Sequence, residues 1–101
     1  ELRNWLAQHG FRIVAETIMT ENDKFYEIMV AEHGDMTLSV QEHRFGPYLN
    51  QEKSAVFKAK WQRELNKLQI ALSHVPISHE ADRFAISQKI TAIKEALNDK
   101  S

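Results

Sequence analysis

Apolar residues recur at helical spacing along two stripes in the second half of the chain. The steps between successive apolar positions are 4, 4, 3, 4 and 3 in the first stripe and 4, 3 and 4 in the second. The positions are Phe57, Trp61, Leu65, Leu68, Leu72 and Val75, followed by Ile86, Ile90, Ile93 and Leu97. Alternating steps of three and four are typical of a coiled-coil seam, so the pattern predicts two amphipathic helices.

The ends of these two helices are marked by residues that start or stop a helix. The first helix is expected to open with an N-cap near Asn50 and to end before Pro76, which cannot continue it. Ser78 is the predicted N-cap of the second helix. Because only a few residues connect the two helices, we expect them to pack antiparallel.

A short helix is predicted at the start of the chain. Leu2, Trp5 and Leu6 follow helical spacing up to Gly10, which can take the left-handed conformation that ends a helix. This pattern starts at the first residue, with neither a methionine nor an N-cap before it. We therefore expect residues 1–9 to be the end of a longer helix whose upstream part is missing.

A β-hairpin is predicted next. Residues 11–20 and 24–32 are rich in β-branched and aromatic side chains, and turn formers occupy 21–23. The second strand is apolar on one face and mostly apolar on the other, and an isolated hairpin is marginal in water. We therefore expect the hairpin to dock on a sheet supplied from outside this chain, or on the chain's own helices.

The adjacent Gly46 and Pro47 exclude a straight helix between the hairpin and the helical pair. They mark an expected boundary between two structural units, and the mixed stretch that precedes them is assigned no element. The predicted fold class is an α+β fragment, in which a helix plus an antiparallel β-hairpin is followed by an antiparallel two-helix coiled coil.

Composition places the chain among globular proteins. It has 101 residues, of which 43% are hydrophobic and 27% charged, with a formal net charge of -1. No apolar run approaches the roughly 20 residues of a membrane-spanning helix, so no membrane partner is expected. The absence of cysteine suits a reducing compartment, and we expect a cytoplasmic protein.

Motifs for catalysis, metal binding or nucleotide binding are missing from the sequence. The three glycines are isolated, and the five histidines lie near predicted turns or element ends without zinc-ligand spacing. Glu16 and Glu27 fall within the predicted strands, where an edge or salt-bridge role is expected. The residues themselves therefore predict no catalytic site and no metal site.

Basic residues are concentrated in the middle of the chain. Residues 1–36 carry seven acids and three bases, whereas residues 37–75 carry six bases and three acids. Within the middle segment the spacing of four bases is 7, 3 and 4, which predicts a single helical face: Lys53, Lys60, Arg63 and Lys67. Such a row can pair with a phosphate backbone without reading bases. The alternative is an ordinary solvated helix face.

Two aromatic residues accompany this basic row. Tyr48 or Trp61 could stack on an unpaired base if its ring were exposed. The seam position of Trp61 favours a core role instead. Lys58 lies off the row, where it would serve solubility.

Several motifs resemble the C-terminal part of bacterial TrmK-type tRNA adenine-N1 methyltransferases. Residues 2–10, 11–16 and 24–32 are similar to the end of that family's catalytic domain. The entry into its helical domain is similar to the run R-F-G-P-Y-L at 44–49 and to Glu52, Lys53, Phe57, Lys60, Trp61, Glu64 and Leu65. The similarity extends over essentially the whole chain, and the combination is more specific than any one motif.

The resemblance implies a two-part parent enzyme. Residues 1–36 would be the C-terminal edge of a Rossmann-like domain that binds S-adenosylmethionine, and residues 37–101 a coiled-coil domain that helps to hold tRNA. The parent would methylate N1 of an adenine, at position 22, in bacterial tRNA. The family's donor-binding and catalytic positions would precede Glu1. The fragment alone is therefore expected to bind no cofactor and to be inactive.

The resulting hypothesis assigns tRNA binding to one set of residues. The expected phosphate contacts are Arg44, Lys53, Lys60, Arg63 and Lys67. The run Phe45-Gly46-Pro47 is expected to act as a structural joint. The alternative hypothesis is that the helical pair is a protein-interaction or dimerisation module without a catalytic role.

Overall fold

The computed structural model describes residues 2–98, and this part of the chain forms five helices and two strands. In chain order they are α1 (Leu2–Gln8), β1 (Phe11–Glu21), β2 (Lys24–His33), α2 (Val40–Phe45), α3 (Leu49–Glu52), α4 (Ala55–His74) and α5 (Glu80–Leu97). The chain divides into two compact units, Glu1–Phe57 and Lys58–Ser101. Between residues 2 and 98, no helix combines the length and apolar character needed to cross a membrane.

The predicted β-hairpin is confirmed. β1 and β2 pair antiparallel up to Glu21 and Lys24, beside the turn. Asn22 and Asp23 in the turn both have left-handed φ values, 53° and 65°. Two successive left-handed residues are the conformation of a type I′ turn, whose twist matches that of the strands. Asparagine and aspartate tolerate this conformation better than most residues, which explains why the chain reverses here.

A bulge in β1 decides which residues of the hairpin face the core. The register shifts between Ile13 and Ala15, and after the shift Glu16 and Ile18 lie on the same buried face as Ile13. Both α1 and α3 pack against β1. One face of the hairpin is therefore covered by the chain's own helices. This is one of the two arrangements expected from the sequence.

The opposite face of the hairpin is open to solvent in the described part of the chain. Tyr26, Ile28 and Val30 alternate along β2 and are 45%, 50% and 54% exposed. Their partners across the hairpin, Met19, Thr17 and Ala15, are exposed as well. Within residues 2–98 the hairpin is therefore covered on one face only.

The stretch before Gly46, for which no element was predicted, forms helix α2. The backbone N–H of Glu42 donates to the Ser39 hydroxyl at 3.1 Å, and the Glu42 carboxylate accepts from the Ser39 N–H at 2.9 Å. This reciprocal pair is a capping box, which satisfies two amide groups that the first helical turn leaves without partners. The S-x-x-E spacing that builds it is present in the sequence and was the signal for this helix.

The prediction of one helix starting near Asn50 is wrong. α3 ends at Glu52, and Lys53 takes a left-handed conformation with φ 49°. A second start follows at once, because the N–H of Phe57 donates to the Ser54 hydroxyl at 3.2 Å and so caps α4. Two helices separated by a cap therefore replace the single one expected.

Two phenylalanines form the centre of the first unit. Phe45 and Phe57 are completely buried, with ring centroids 6.4 Å apart and an interplanar angle of 64°. This edge-to-face arrangement is one of the favoured geometries of aromatic pairs. The ends of α2 and the start of α4 are thereby packed together.

In the second unit, α4 and α5 are joined by five residues. The predicted N-cap Ser78 is wrong, because the N-cap is His79 and it makes no side-chain cap. Arg83 secures the other side of the connection: its Nη1 donates to the carbonyl oxygens of Val75 at 2.8 Å and Leu72 at 3.3 Å. The Leu72 carbonyl also accepts from the Val75 N–H at 3.2 Å, so Arg83 adds a second bond there and provides a partner for the Val75 carbonyl beyond the end of α4.

The predicted seam positions are the less exposed positions of both helices. Leu65, Ile90 and Ile93 are buried, and the remaining seam residues of α4 and α5 are buried or half-buried. Exposed apolar residues such as Ile70 and Phe84 lie off the seam. The periodicity therefore identified the inward face of each helix, while the antiparallel coiled coil stays a prediction.

Candidate functional site

A buried ion cluster joins α1 to the hairpin. Arg3 Nε lies 2.9 Å from Glu16 Oε2, and Arg3 Nη2 lies 2.8 Å from Glu27 Oε1. Arg3 is only 4% exposed and Glu16 only 7%. The salt-bridge role expected for Glu16 and Glu27 is confirmed. Burying two charges costs solvation energy, and the ion pair offsets this cost only if the remaining polar atoms of both side chains are also hydrogen-bonded.

Those further partners lie at the corner between α2 and α3. Glu16 Oε1 accepts hydrogen bonds from the backbone N–H groups of Tyr48, at 2.9 Å, and Leu49, at 3.1 Å, where α3 begins. Arg3 Nη1 donates to the carbonyl oxygen of His43, at 3.4 Å, near the end of α2. A negative charge at a helix start and a positive charge at a helix end match the local peptide dipoles. The ion pair therefore holds both short helices on the hairpin.

Gly46 lies against this ion pair with no room for a side chain. A Cβ at this position would be 2.5 Å from Glu16 Oε1 and 2.7 Å from Arg3 Nη2. Its φ of 93° is also in the range that favours glycine. The Gly46-Pro47 corner therefore lies inside the first unit and is bonded to the hairpin, rather than forming the expected boundary between units.

Two of the residues predicted to contact phosphates lie on either side of the Gly46-Pro47 corner. Arg44 is exposed in the last turn of α2, next to the residue whose carbonyl accepts from Arg3. Lys53 is half-buried after α3, and its N–H donates to the carbonyl of Leu49 at 2.9 Å. Both residues therefore belong to the first unit and are fixed through backbone atoms close to the ion cluster.

The other three predicted contacts lie on α4 in the second unit. Arg63 and Lys67 are exposed and Lys60 is half-buried. At 3.6 residues per turn these three share one face, roughly 120° around the helix from the seam. Lys53 precedes the start of α4 and does not belong to this face. The prediction of a four-residue basic row on one helix is therefore wrong, and three residues form it.

The aromatic residues near the basic positions differ in exposure. Tyr48 is 40% exposed at the corner of the first unit. Trp61 is half-buried at its seam position, and Lys60 Nζ lies 4.6 Å from the centroid of its ring. An ammonium group at this distance makes a cation–π contact. Of the two rings considered for base stacking, Tyr48 is thus the more accessible.

The sequence analysis did not identify Arg3 as the ion-pair partner of Glu16, and it did not predict that Gly46 lies against this pair. A signal existed for the carboxylate, because Glu16 interrupts the apolar row of the predicted strand. A charged residue in such a row requires a buried partner. No local pattern says that the partner comes from α1, 13 residues earlier.

Other concave or metal-binding features are modest. A pocket in the first unit has a volume of about 160 Å³, and its polar lining includes Thr17, Glu52 and Ser54. Across residues 2–98, no group of three or more histidine, aspartate or glutamate side chains is arranged to hold a metal ion.

Comparison with known proteins identifies relatives along nearly the whole chain. The family model for tRNA (adenine(22)-N(1))-methyltransferase, TrmK, matches residues 1–95. The Bacillus subtilis enzyme of that name is 32% identical over 102 aligned residues, which cover 95% of this chain and 42% of the relative. The chain therefore spans less than half the length of this relative.

Solved structures agree with this match. A Streptococcus pneumoniae protein proposed to be a tRNA (m1A22) methyltransferase is 52% identical, with a TM-score of 0.95 over 96% of this chain and 44% of its own. Its complex with S-adenosyl-L-methionine superposes with a TM-score of 0.85 at 50% identity, over 96% of this chain and 42% of that one. A Streptococcus agalactiae protein of the NADB-Rossmann superfamily is 50% identical, with a TM-score of 0.91 and the same coverage of 96% and 42%.

The matched residues include all the features of the first unit described above, from the buried ion pair to the capped start of α4. The family match extends from residue 1 to residue 95 and so covers nearly the whole chain. This chain therefore belongs to the TrmK family of tRNA (adenine(22)-N(1))-methyltransferases.

Proposed function

We infer that this chain is the C-terminal part of an enzyme that transfers a methyl group from S-adenosylmethionine to N1 of adenine 22 in tRNA. The family match over residues 1–95 carries this inference. The donor is supported by the S-adenosyl-L-methionine complex of the Streptococcus pneumoniae relative. In this proposal the donor-binding and catalytic sites belong to the rest of the parent protein, and the relatives, which are more than twice as long, have room for them outside the matched part. The parent acts in the cytoplasm, and this chain by itself is inactive.

The proposed architecture has two parts. Residues 1–36 form the C-terminal edge of the Rossmann-like domain, a role supported by the fold of the Streptococcus agalactiae relative. Residues 37–101 form the helical domain. Its first part, α2 and α3, lies in the first compact unit, and α4 and α5 pack as an antiparallel coiled coil. Burial of the seam positions and the five-residue connection support this packing.

The helical domain helps to hold tRNA through contacts with phosphates. The observation in favour is the basic face of Lys60, Arg63 and Lys67, which is turned away from the apolar seam. Arg63 and Lys67 are exposed, whereas Lys60 is half-buried and also contacts the ring of the seam residue Trp61. Arg44 and Lys53 supply further contacts from the first unit.

The test measures tRNA affinity of the full-length enzyme against salt concentration. Replacing Lys60, Arg63 and Lys67 with alanine removes three phosphate contacts. Because each contact contributes about 0.7 to 0.9 to the slope of log K against log salt, that slope should fall by about 2 to 3. Filter binding or fluorescence anisotropy at several salt concentrations gives the slope.

Lys89 and Lys94 provide the matched control. Both are exposed lysines of the neighbouring helix α5 and lie outside the basic face. Replacing both with alanine should leave the slope nearly unchanged. Equal effects of the two sets would mean that net charge, rather than this face, binds tRNA. If neither set of substitutions changed the slope, the proposed contact between this face and tRNA would be wrong.

The alternative, a protein-interaction module, has weaker support. It requires exposed seam positions, and those of both helices are buried or half-buried. Association through an apolar helix face would also be nearly insensitive to salt, in contrast to phosphate binding. Sedimentation of the full-length enzyme at low and high salt separates the two, because only the alternative predicts a salt-resistant oligomer.

A further inference from the structure

We propose that the Arg3–Glu16 ion pair is a positioning device for tRNA binding, which holds Arg44 and Lys53 where they reach tRNA phosphates. The inference rests on the proposed function, since it concerns two of the proposed contacts. It adds a role for two buried residues that cannot touch the substrate themselves.

The connection from Glu16 to Lys53 is a short chain of hydrogen bonds. Glu16 Oε1 accepts from the N–H of Leu49 at 3.1 Å, and the carbonyl of Leu49 accepts from the N–H of Lys53 at 2.9 Å. Lys53 ends α3 with a left-handed φ of 49°, a conformation that residues other than glycine seldom adopt. The direction in which Lys53 leaves α3 therefore depends on where Glu16 holds the start of that helix.

The connection from Arg3 to Arg44 is equally short. Arg3 Nη1 donates to the carbonyl of His43, the residue directly before Arg44. The two contacts are coupled, because Arg3 and Glu16 bind each other at 2.9 Å. One ion pair therefore controls the end of α2 and the start of α3 together.

Space around the pair leaves little freedom for an alternative arrangement. Gly46 approaches both charged groups so closely that even a methyl group would collide with them. Glu27, whose side chain is 15% exposed, supplies the second carboxylate for Arg3. Loss of the Glu16 charge would leave the buried guanidinium with one carboxylate, and the corner would shift to compensate.

The experiment uses the full-length enzyme and a double-mutant cycle. Glu16→Gln keeps the shape and one acceptor oxygen but turns an NH₂ group or a neutral oxygen toward Arg3. We expect tRNA Kd to rise about 3- to 10-fold and the salt slope to fall by about one to two phosphate contacts. In a variant that already lacks Arg44 and Lys53, Glu16→Gln should have no further effect, because the contacts that it misplaces are gone.

A purely structural role of Glu16 predicts different changes in kcat, in KM and in the salt slope. Simple destabilisation would lower the active fraction and kcat without changing the salt slope. We therefore expect kcat at saturating tRNA to stay within about twofold while KM for tRNA rises. Glu32→Gln is the matched control, because Glu32 pairs with Arg12 on the exposed surface of the same hairpin.

Any one of three outcomes overturns the positioning role. Equal effects of Glu16→Gln with and without Arg44 and Lys53 would show that it acts elsewhere. An unchanged salt slope would also show that Glu16→Gln acts elsewhere.

If Glu16→Gln fails to fold, the less buried Glu27→Gln tests the same coupling through Arg3. If replacing Arg44 and Lys53 has no effect while replacing the α4 residues does, positioning fails and the proposed function stands; if neither has an effect, both fail.

Discussion

At the scale of single residues, the most constrained position in the first unit is Gly46. The sequence marks it as a helix breaker beside Pro47, and the resemblance identifies it as part of a motif. The structure adds the physical reason, since the backbone passes within van der Waals distance of a buried ion pair. The space for the Arg3–Glu16 pair exists only because residue 46 has no side chain.

Gly46→Ala should lower the free energy of unfolding by about 3 kcal/mol or more, because the new methyl group would force the buried charges apart. Gly10→Ala is the matched control. Gly10 also has a left-handed φ, 76°, but no atom lies within 4 Å of a Cβ there. It should cost only about 1 to 2 kcal/mol of backbone strain. Urea denaturation measures both, and equal losses would rule out the steric account.

At the scale of elements, the pattern of apolar residues predicted regular structure well where the pattern was long. The hairpin and the inward faces of α4 and α5 follow directly from periodicity. Short elements were missed or merged, because α2 and α3 have six and four residues and cannot display a full period. Their boundaries depend on caps at Ser39 and Ser54 and on the left-handed Lys53.

The two serines assigned to helix starts should differ in their contribution to stability. Ser39→Ala removes a capping box and should cost about 1 kcal/mol of unfolding free energy. Ser78→Ala should cost almost nothing, because Ser78 is exposed and the N-cap of α5 is His79. The difference between the two variants in chemical denaturation tests the assignment. A larger loss of unfolding free energy for Ser78→Ala would show that Ser78 caps α5, as the sequence predicted.

At the scale of the whole molecule, charge and apolar surface are unevenly distributed. The formal net charge is only -1, yet the acidic first third is followed by a basic middle. The hairpin covers one face with its own helices and leaves the face of Tyr26, Ile28 and Val30 exposed in the described part of the chain. These features accord with a chain that spans less than half of its relatives.

The whole-molecule prediction concerns methyl transfer. This chain alone should incorporate no labelled methyl group from S-adenosylmethionine into tRNA, whereas the full-length enzyme should. A bound donor would also stabilise the protein, by about 2.7 kcal/mol at 100 times its Kd. We expect this thermal stabilisation in the full-length enzyme and none in the chain. Donor-dependent stabilisation of the chain would show that it contains a donor site.

The sequence by itself determined the hairpin, the two long amphipathic helices and the break between them at Pro76, because these depend on neighbours within a few residues. It also identified the family through motifs along the chain. Only the tertiary structure decided that Arg3 pairs with Glu16, that Gly46 must lie against them, and that Lys53 separates from the face of α4. These outcomes depend on groups distant in sequence that compete for the same buried space, and no local periodicity encodes which of them meet.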